Sequence, residues 1–511
     1  MKLTLISLAF VAASLALPAQ AASAPVDGHA LPPGIAWLQG DVPAAFAKAK
    51  SENKPLFLYW GAVWCPPCNQ VKATIFNRQD FIARTRQFVP VYLDGDSPDA
   101  QKLGSEFKVR GYPTMILFRP DGAEITRLPG EVDPERYLRT LELGLAAARP
   151  VKALLQAALA GDKLADGDWQ LLADYSWDTD QAQIVPEKQV AATLAGLADK
   201  APAQPAATAL RLKLKALAAA AGEEAPVPDR AQGLSVAGAA LARPRANADI
   251  LINSAADIVK ALSAEGAPRQ ALAAQWDAAL EKLAADAGLS TADRLGALSS
   301  RLALARLNQP KGELPRSLRE EVKQRVAAAD KATGNPYERQ AVITAGADLL
   351  TQAGWLDESD ALLKAELSRS HAPYYHMLIL ASNAKQRGDK AAALDWYRQA
   401  YEAANGPATR LQWGVSYLSG AIELAPADEK RIESTASAIF KEAGGTPSAF
   451  YERNRRSLEK AVNRLKAWGR QQQQAAALAR LAGQLDEVCG KLPAGDPQKP
   501  VCEGLAQSAR S

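Results

Sequence analysis

Apolar positions follow two different rules along this chain. In the first part they come in short runs of large side chains. Residues 55–60 carry Leu56, Phe57, Leu58 and Tyr59 without alternation, as a central strand covered on both faces would. Residues 88–93 repeat the pattern and close on Asp94-Gly95-Asp96. Residues 114–118 form a third run, and Pro120-Asp121-Gly122 turns it into a fourth at 123–128. Helical patterns lie between them. Asp41 caps a short helix with Pro43 in its first turn. Residues 69–76 place Val71, Ile75 and Phe76 at helical spacing, 98–107 suits a helix, and Asp133-Pro134-Glu135 opens a last one to about residue 147. The order is strand, helix, strand, helix, strand, turn, strand, helix. Crossing helices predict parallel pairing early, and the tight turn predicts antiparallel pairing late. The result is an α/β mixed sheet flanked by helices over residues 35–149.

After Arg149-Pro150 the rule changes. Alanine and leucine dominate, and apolar spacing becomes three and four. Helices are predicted at 151–160, 190–197, 206–220, 239–262 with breaks, and 271–287. Pro/Gly punctuation separates them at 222–228, 310–315 and 334–336. Residues 150–511 therefore read as a large all-α region. Gln352-Ala353-Gly354 and Gln386-Arg387-Gly388 lie 34 residues apart, and Ala393, Tyr397 and Ala400 follow the second. This resembles the turn and second helix of a tetratricopeptide repeat, around residues 340–440, with one more unit expected near Gly420. Such helix pairs stack into a solenoid with a concave face that can bind a protein partner; a rigid body without a partner fits equally. Trp355, Trp396, Tyr397 and Trp413 read as core. His371 and His376, five apart, do not share a helix face, which favours packing over metal binding.

The N-terminus reads as a secretory leader over residues 1–21. Lys2 supplies the charge, residues 3–17 the apolar stretch, and Ala19-Gln20-Ala21 the small residues for cleavage after Ala21. Residues 22–34 follow as a linker. The expectation is a periplasmic or secreted protein with no membrane association after cleavage. With 60 Lys+Arg against 56 Asp+Glu and no basic block, nucleic acid is not an expected partner.

Four cysteines then change the picture. Trp64-Cys65-Pro66-Pro67-Cys68 sets two of them three apart where a strand meets a helix. A thiol attacks a disulfide only as thiolate. At a helix N-terminus, unpaired N–H groups and the helix dipole favour the anion, so Cys65 is the expected nucleophile, with a pKa below the free value of about 8.5. Cys68, one turn deeper, resolves the mixed disulfide. A structural disulfide is the plainer alternative in an exported protein. A zinc site lacks further ligands at suitable spacing, and no metal or organic cofactor is called for. Cys489 and Cys502 flank a Gly/Pro-rich loop and are expected to form a structural disulfide.

Trp64-Cys-x-x-Cys68 after a long strand, with Gly111-Tyr112-Pro113-Thr114 before the next, resembles the thioredoxin fold, and residues 54–62 are similar to secreted bacterial members. The resemblance implies a thiol–disulfide oxidoreductase acting on protein dithiols or disulfides, served by a redox partner protein. It implies a cis peptide bond before Pro113 and a substrate groove lined by Trp64, Pro66, Tyr112 and Gly130. It leaves open the direction of electron flow. The alternative is a helical adaptor whose front domain senses redox state or anchors the rest. Two departures stand out. Tyr59 occupies the place of the buried acid typical of thioredoxins, and Pro90 is expected in that of its lysine partner.

Overall fold

The computed structural model describes residues 30–130, 133–177, 183–203, 206–227, 229–309 and 313–510. The expected leader, residues 22–29 of the expected linker, and Pro228 and residues 310–312 of two expected breaks lie outside these.

The first domain holds β1 (Leu38–Gln39), α1 (Val42–Glu52), β2 (Leu56–Gly61), α2 (Pro66–Thr74), α3 (Gln79–Arg84), β3 (Val89–Asp94), α4 (Ala100–Glu106), β4 (Thr114–Phe118), β5 (Glu124–Leu128) and α5 (Pro134–Ala146). The five strands run in the order β1-β3-β2-β4-β5, with β2 parallel to β3 and antiparallel to β4. The thioredoxin-fold sheet read from the sequence is present, with two additions. β1 is too short to show a pattern, and α3 fills the link between α2 and β3. Every residue of β2 is buried because the strand feeds two cores. Phe57 and Tyr59 meet Phe76, Phe81 and Tyr137 on one face, while Leu56, Leu58 and Trp60 meet Val91 and Ile116 on the other. The lack of alternation in the sequence is the trace of that double cover. At its start, α1 is closed by Asp41, whose carboxylate accepts from Ala44 N at 2.9 Å, a cap worth about 1 kcal/mol.

About 20 helices follow, and no strand occurs among the described residues beyond Leu128. The stretch 239–262 resolves into the end of helix Arg230–Leu241 and two short helices, Ala248–Asn253 and Ala255–Leu262. Gly354 and Gly388 occupy matching turns, at φ +82° and +78°, between Pro336–Gln352 and Leu356–Glu366 and between Pro373–Gln386 and Lys390–Ala403. The third unit expected near Gly420 is not marked by that glycine. Gly420 lies inside helix Pro407–Leu424, where an added Cβ would come within 2.7 Å of the Tyr397 ring. Close helix packing, not a turn, explains the residue. Cys489 and Cys502 are joined, with Cα atoms 5.5 Å apart, tying helix Ala475–Gly490 to helix Gln498–Arg510.

The helical region does not trail from the first domain; it closes back on it. Helix Pro336–Gln352 packs along α2, helix Glu452–Gln471 reaches α4, and helix Asp166–Asp174 lies against α5. Helix Pro336–Gln352 is itself anchored by Arg339. Its guanidinium donates to Glu366 at 2.6 Å and to Thr333 O at 2.8 Å in a buried, fully bonded pair. Among the described residues no single helix is long and apolar enough to cross a membrane.

Candidate functional site

β2 ends at Gly61, and residues 62–65 turn the chain into α2. Cys65 is the N-cap of α2. The next two residues are prolines, which carry no N–H. The first amide that α2 can offer is therefore that of Cys68, and it donates to Cys65 Sγ at 3.2 Å. Asn69 fixes the turn, its side-chain amide donating to Val63 O at 2.8 Å and Cys65 O at 2.9 Å. Cys65 and Cys68 are joined as a disulfide with Cα atoms 5.2 Å apart. On reduction, a Cys65 thiolate would keep the Cys68 N–H and the positive end of α2 beside it, the arrangement that favours a thiolate.

The peptide bond between Tyr112 and Pro113 is cis. Gly130 packs so closely on Pro113 that an added Cβ would stand 3.0 Å from the proline ring. Tyr59 is wholly buried and its hydroxyl donates to Cys68 O at 3.4 Å. Burial holds this phenol far above its ordinary pKa, so it keeps its proton and is no substitute for a carboxylate. The residue opposite Tyr59 in the parallel register is Tyr92; Pro90 faces Phe57. The expected place of the missing lysine is thus corrected by two positions. A buried lysine does sit nearby on another element. Lys72, one turn beyond Cys68 on α2, holds its ammonium 5.6 Å from the Tyr92 ring centre and 5.3 Å from that of Tyr337.

The helical region supplies the rest of the surroundings, which sequence reasoning missed. Cys65 is 2% exposed, Cys68 0% and Trp64 8%. The Trp64 ring lies 5.0 Å from Trp413 and 5.9 Å from Tyr375, centre to centre. Its Nε1–H donates to Thr409 Oγ1 at 2.9 Å, and that hydroxyl donates to Asp96 Oδ2 at 2.5 Å. Asp96 Oδ1 accepts from Thr409 N at 2.8 Å, so a first-domain carboxylate caps helix Pro407–Leu424. Gly406, at φ +91°, makes room for it: an added Cβ would lie 2.7 Å from the Asp96 oxygens. The Arg453 guanidinium sits 4.8 Å from the Trp64 ring centre and 5.1 Å from that of Tyr112. His371 donates from Nε2 to Val63 O at 3.1 Å. Trp413 and His371, read as packing residues, therefore stand in the shell of the cysteine pair. Their separation from it by more than 300 residues left no local signal.

The expected groove residues are divided by this cover. Trp64 and Tyr112 lie under Arg453. Pro66 faces a cavity of about 450 Å³, whose other wall includes Asp293, Asp348 and Tyr375. Gly130 faces a second cavity of about 380 Å³ with Trp177 and Leu194.

The family described as "Thioredoxin-like domain" matches residues 42–144. Thioredoxin of Mycobacterium tuberculosis is 32% identical over 92 residues, covering 18% of this chain and 74% of that protein. The thiol:disulfide interchange protein DsbD of Pseudomonas fluorescens is 32% identical over 108 residues, covering 20% of this chain and 18% of that protein. This chain thus matches less than a fifth of the length of DsbD. A solved thioredoxin from Thermus thermophilus is similar at 24% identity and a TM-score of 0.20, covering 21% of this chain and 85% of that one. With the paired cysteines at the head of α2, the cis proline and a similarity that spans most of a thioredoxin, the chain belongs to the thioredoxin-like family through its first domain, to which a large all-helical region is joined.

Proposed function

We propose that this chain is an exported thiol–disulfide oxidoreductase that exchanges disulfides with protein thiols through Cys65 and Cys68. The observation that carries the reading is the N-cap position of Cys65, with its sulfur accepting from the Cys68 amide. In the reducing direction, Cys65 thiolate attacks one sulfur of a substrate disulfide and the other leaves as thiolate. Cys68 then attacks Cys65 Sγ, the mixed disulfide breaks, and the substrate departs as a dithiol carrying two electrons. The Cys65–Cys68 disulfide so formed is reduced again by a dithiol partner protein. The oxidising direction is the same sequence reversed. The names of the relatives, thioredoxin and thiol:disulfide interchange protein, support this chemistry. Export rests on the leader read at residues 1–21, and protein sequencing of mature material should give Ala22 first.

Substitution tests the chemistry. Cys65→Ser should abolish turnover of insulin disulfides, whereas Cys68→Ser should accumulate mixed disulfides through Cys65. Full turnover by Cys65→Ser would remove the assignment. The redox potential of the pair, measured against a glutathione series, gives the direction.

A second reading draws on the cover over the pair. Here the helical region is a scaffold for a protein partner, its stacked helix pairs resemble tetratricopeptide units, and the front domain reports redox state. Partner capture that depends on the oxidation state of Cys65–Cys68, in a chain that never turns over insulin, would favour it.

A further inference from the structure

A disulfide that exchanges with proteins must meet them, yet this one is sealed by its own chain. The seal lies where a partner would dock. The resemblance to the thioredoxin fold puts the substrate groove here, between Trp64 and the cis proline, where an extended strand would pair with exposed backbone. Arg453 fills this space, its guanidinium over both the Trp64 and Tyr112 rings. The same residue is held from two sides: its backbone N–H donates to Gln101 Oε1 at 3.0 Å, and its Nε to Gln412 Oε1 at 2.7 Å. Thr409 forms the second hold, linking Trp64 to Asp96 as described. Ser448 adds a third, donating to Pro98 O at 2.5 Å. The space left beside α2 is a cavity of about 450 Å³ that reaches Pro66 and Pro67, next to Cys65 in the chain, but not Cys65 itself; its size suits small molecules and not a folded surface.

We propose that Thr409 and Arg453 determine specificity by partner size: they hold the helical region over Trp64 and Tyr112, so that a small thiol, approaching from the cavity beside Pro66, needs only a small opening to reach Cys65, whereas protein-sized partners reach it only when the whole cover lifts. The inference deepens the oxidoreductase reading, but its test does not depend on turnover. A charge-assisted hydrogen bond or a desolvated cation–π contact contributes roughly 1.5–3 kcal/mol, so removing one hold should raise the open fraction about tenfold or more.

The test is alkylation of the full chain after reduction by a phosphine, with peptide mapping to follow Cys65. Two probes are compared, N-ethylmaleimide and a maleimide carrying a long polyethylene glycol chain. In the wild type, the ratio of small-probe to large-probe rate should exceed that of free cysteine by about tenfold, from the same population argument. Thr409→Val and Arg453→Met, checked for native helix content, should each bring that ratio back toward the free-cysteine value by speeding the large probe. A wild-type ratio equal to that of free cysteine overturns the proposal, even where the variants fail to fold. So do folded variants that label like wild type. Insulin turnover by Cys65→Ser would instead remove the redox chemistry and leave the cover standing.

Discussion

Two titratable side chains, the buried His376 and the half-buried Asp96, set opposing pH dependences on stability. His376 is 0% exposed, and among the described residues neither ring nitrogen has a hydrogen-bond partner. Burial first, then the positive neighbours His371 and Arg339, push it down to about 4. Between that value and 6.5 the unfolded chain binds the proton and the folded chain does not, so stability falls with acidification across this window, by about 3 kcal/mol. Asp96 is pushed up to about 6, chiefly by burial and partly by Asp94, against the lowering effect of the Thr409 bonds. Here the folded state holds the proton more tightly. Its contribution is full below 3.8 and is lost as pH rises through about 6, with a similar size by the same linkage. Relative to wild type, His376→Leu should therefore gain stability toward pH 4. Asp96→Asn should gain it toward pH 7. Urea midpoints across pH 4–7 check this, and two variants that track the wild-type curve would refute it. The same residues show the limits of reading along the chain. Cys65 and Cys68 were legible because their chemistry is local, set by spacing and by neighbours in sequence, while the cis bond at Pro113 came only with the resemblance to the thioredoxin fold. Thr409, Trp413 and Arg453 were not, since an isolated threonine, tryptophan or arginine in a helix looks the same whether it faces a core or a cysteine pair.

Among elements, the four long strands and the helices flanking them could be read because each buries a run of large side chains that no other element explains. β1 escaped notice because two residues cannot show a period. The expected third repeat unit is a different case: a helix pair does follow, Pro407–Leu424 and Glu429–Gly444, but Gly420 does not mark its turn. Glycine usually marks a turn, yet at Gly420 it allows a helix to approach Tyr397. Gly420→Ala decides between the two roles. Helix propensity alone favours alanine by about 1 kcal/mol. Contact with the Tyr397 ring should reverse this, for a net loss of about 1–2 kcal/mol from overpacking, seen as a lower melting temperature. At the C-terminus, the Cys489–Cys502 bond closes a loop of sequence separation 13. The double Cys→Ala variant should lose about 3 kcal/mol by the chain-entropy account. It should leave insulin turnover unchanged, because that pair sits in a hydrophobic cluster separate from the one that holds Cys65 and Cys68.

For the whole molecule, the first domain and the helices share one interface, so they are expected to unfold together. Calorimetry of the full chain should show a single transition, and Arg339→Met should lower all of it. Loss of Arg339 leaves the buried Glu366 carboxylate only its longer contact with Arg369 at 3.7 Å, a cost of up to about 3–5 kcal/mol, and the anchored helix is the one lying on α2. Two separated transitions in the wild type would show that the cover is only loosely attached. The fold class of each part was readable from composition and period, but their mutual docking was not. No periodicity records which face of a helical array meets a distant sheet.

The cap that Asp96 places on helix Pro407–Leu424 spans 313 residues of sequence. At ribosomal rates of roughly 5–20 residues per second, the nascent first domain waits on the order of half a minute before its closing helix exists. For that interval a newborn molecule presents its sulfurs bare, and whatever thiols it meets then meet it without a lid.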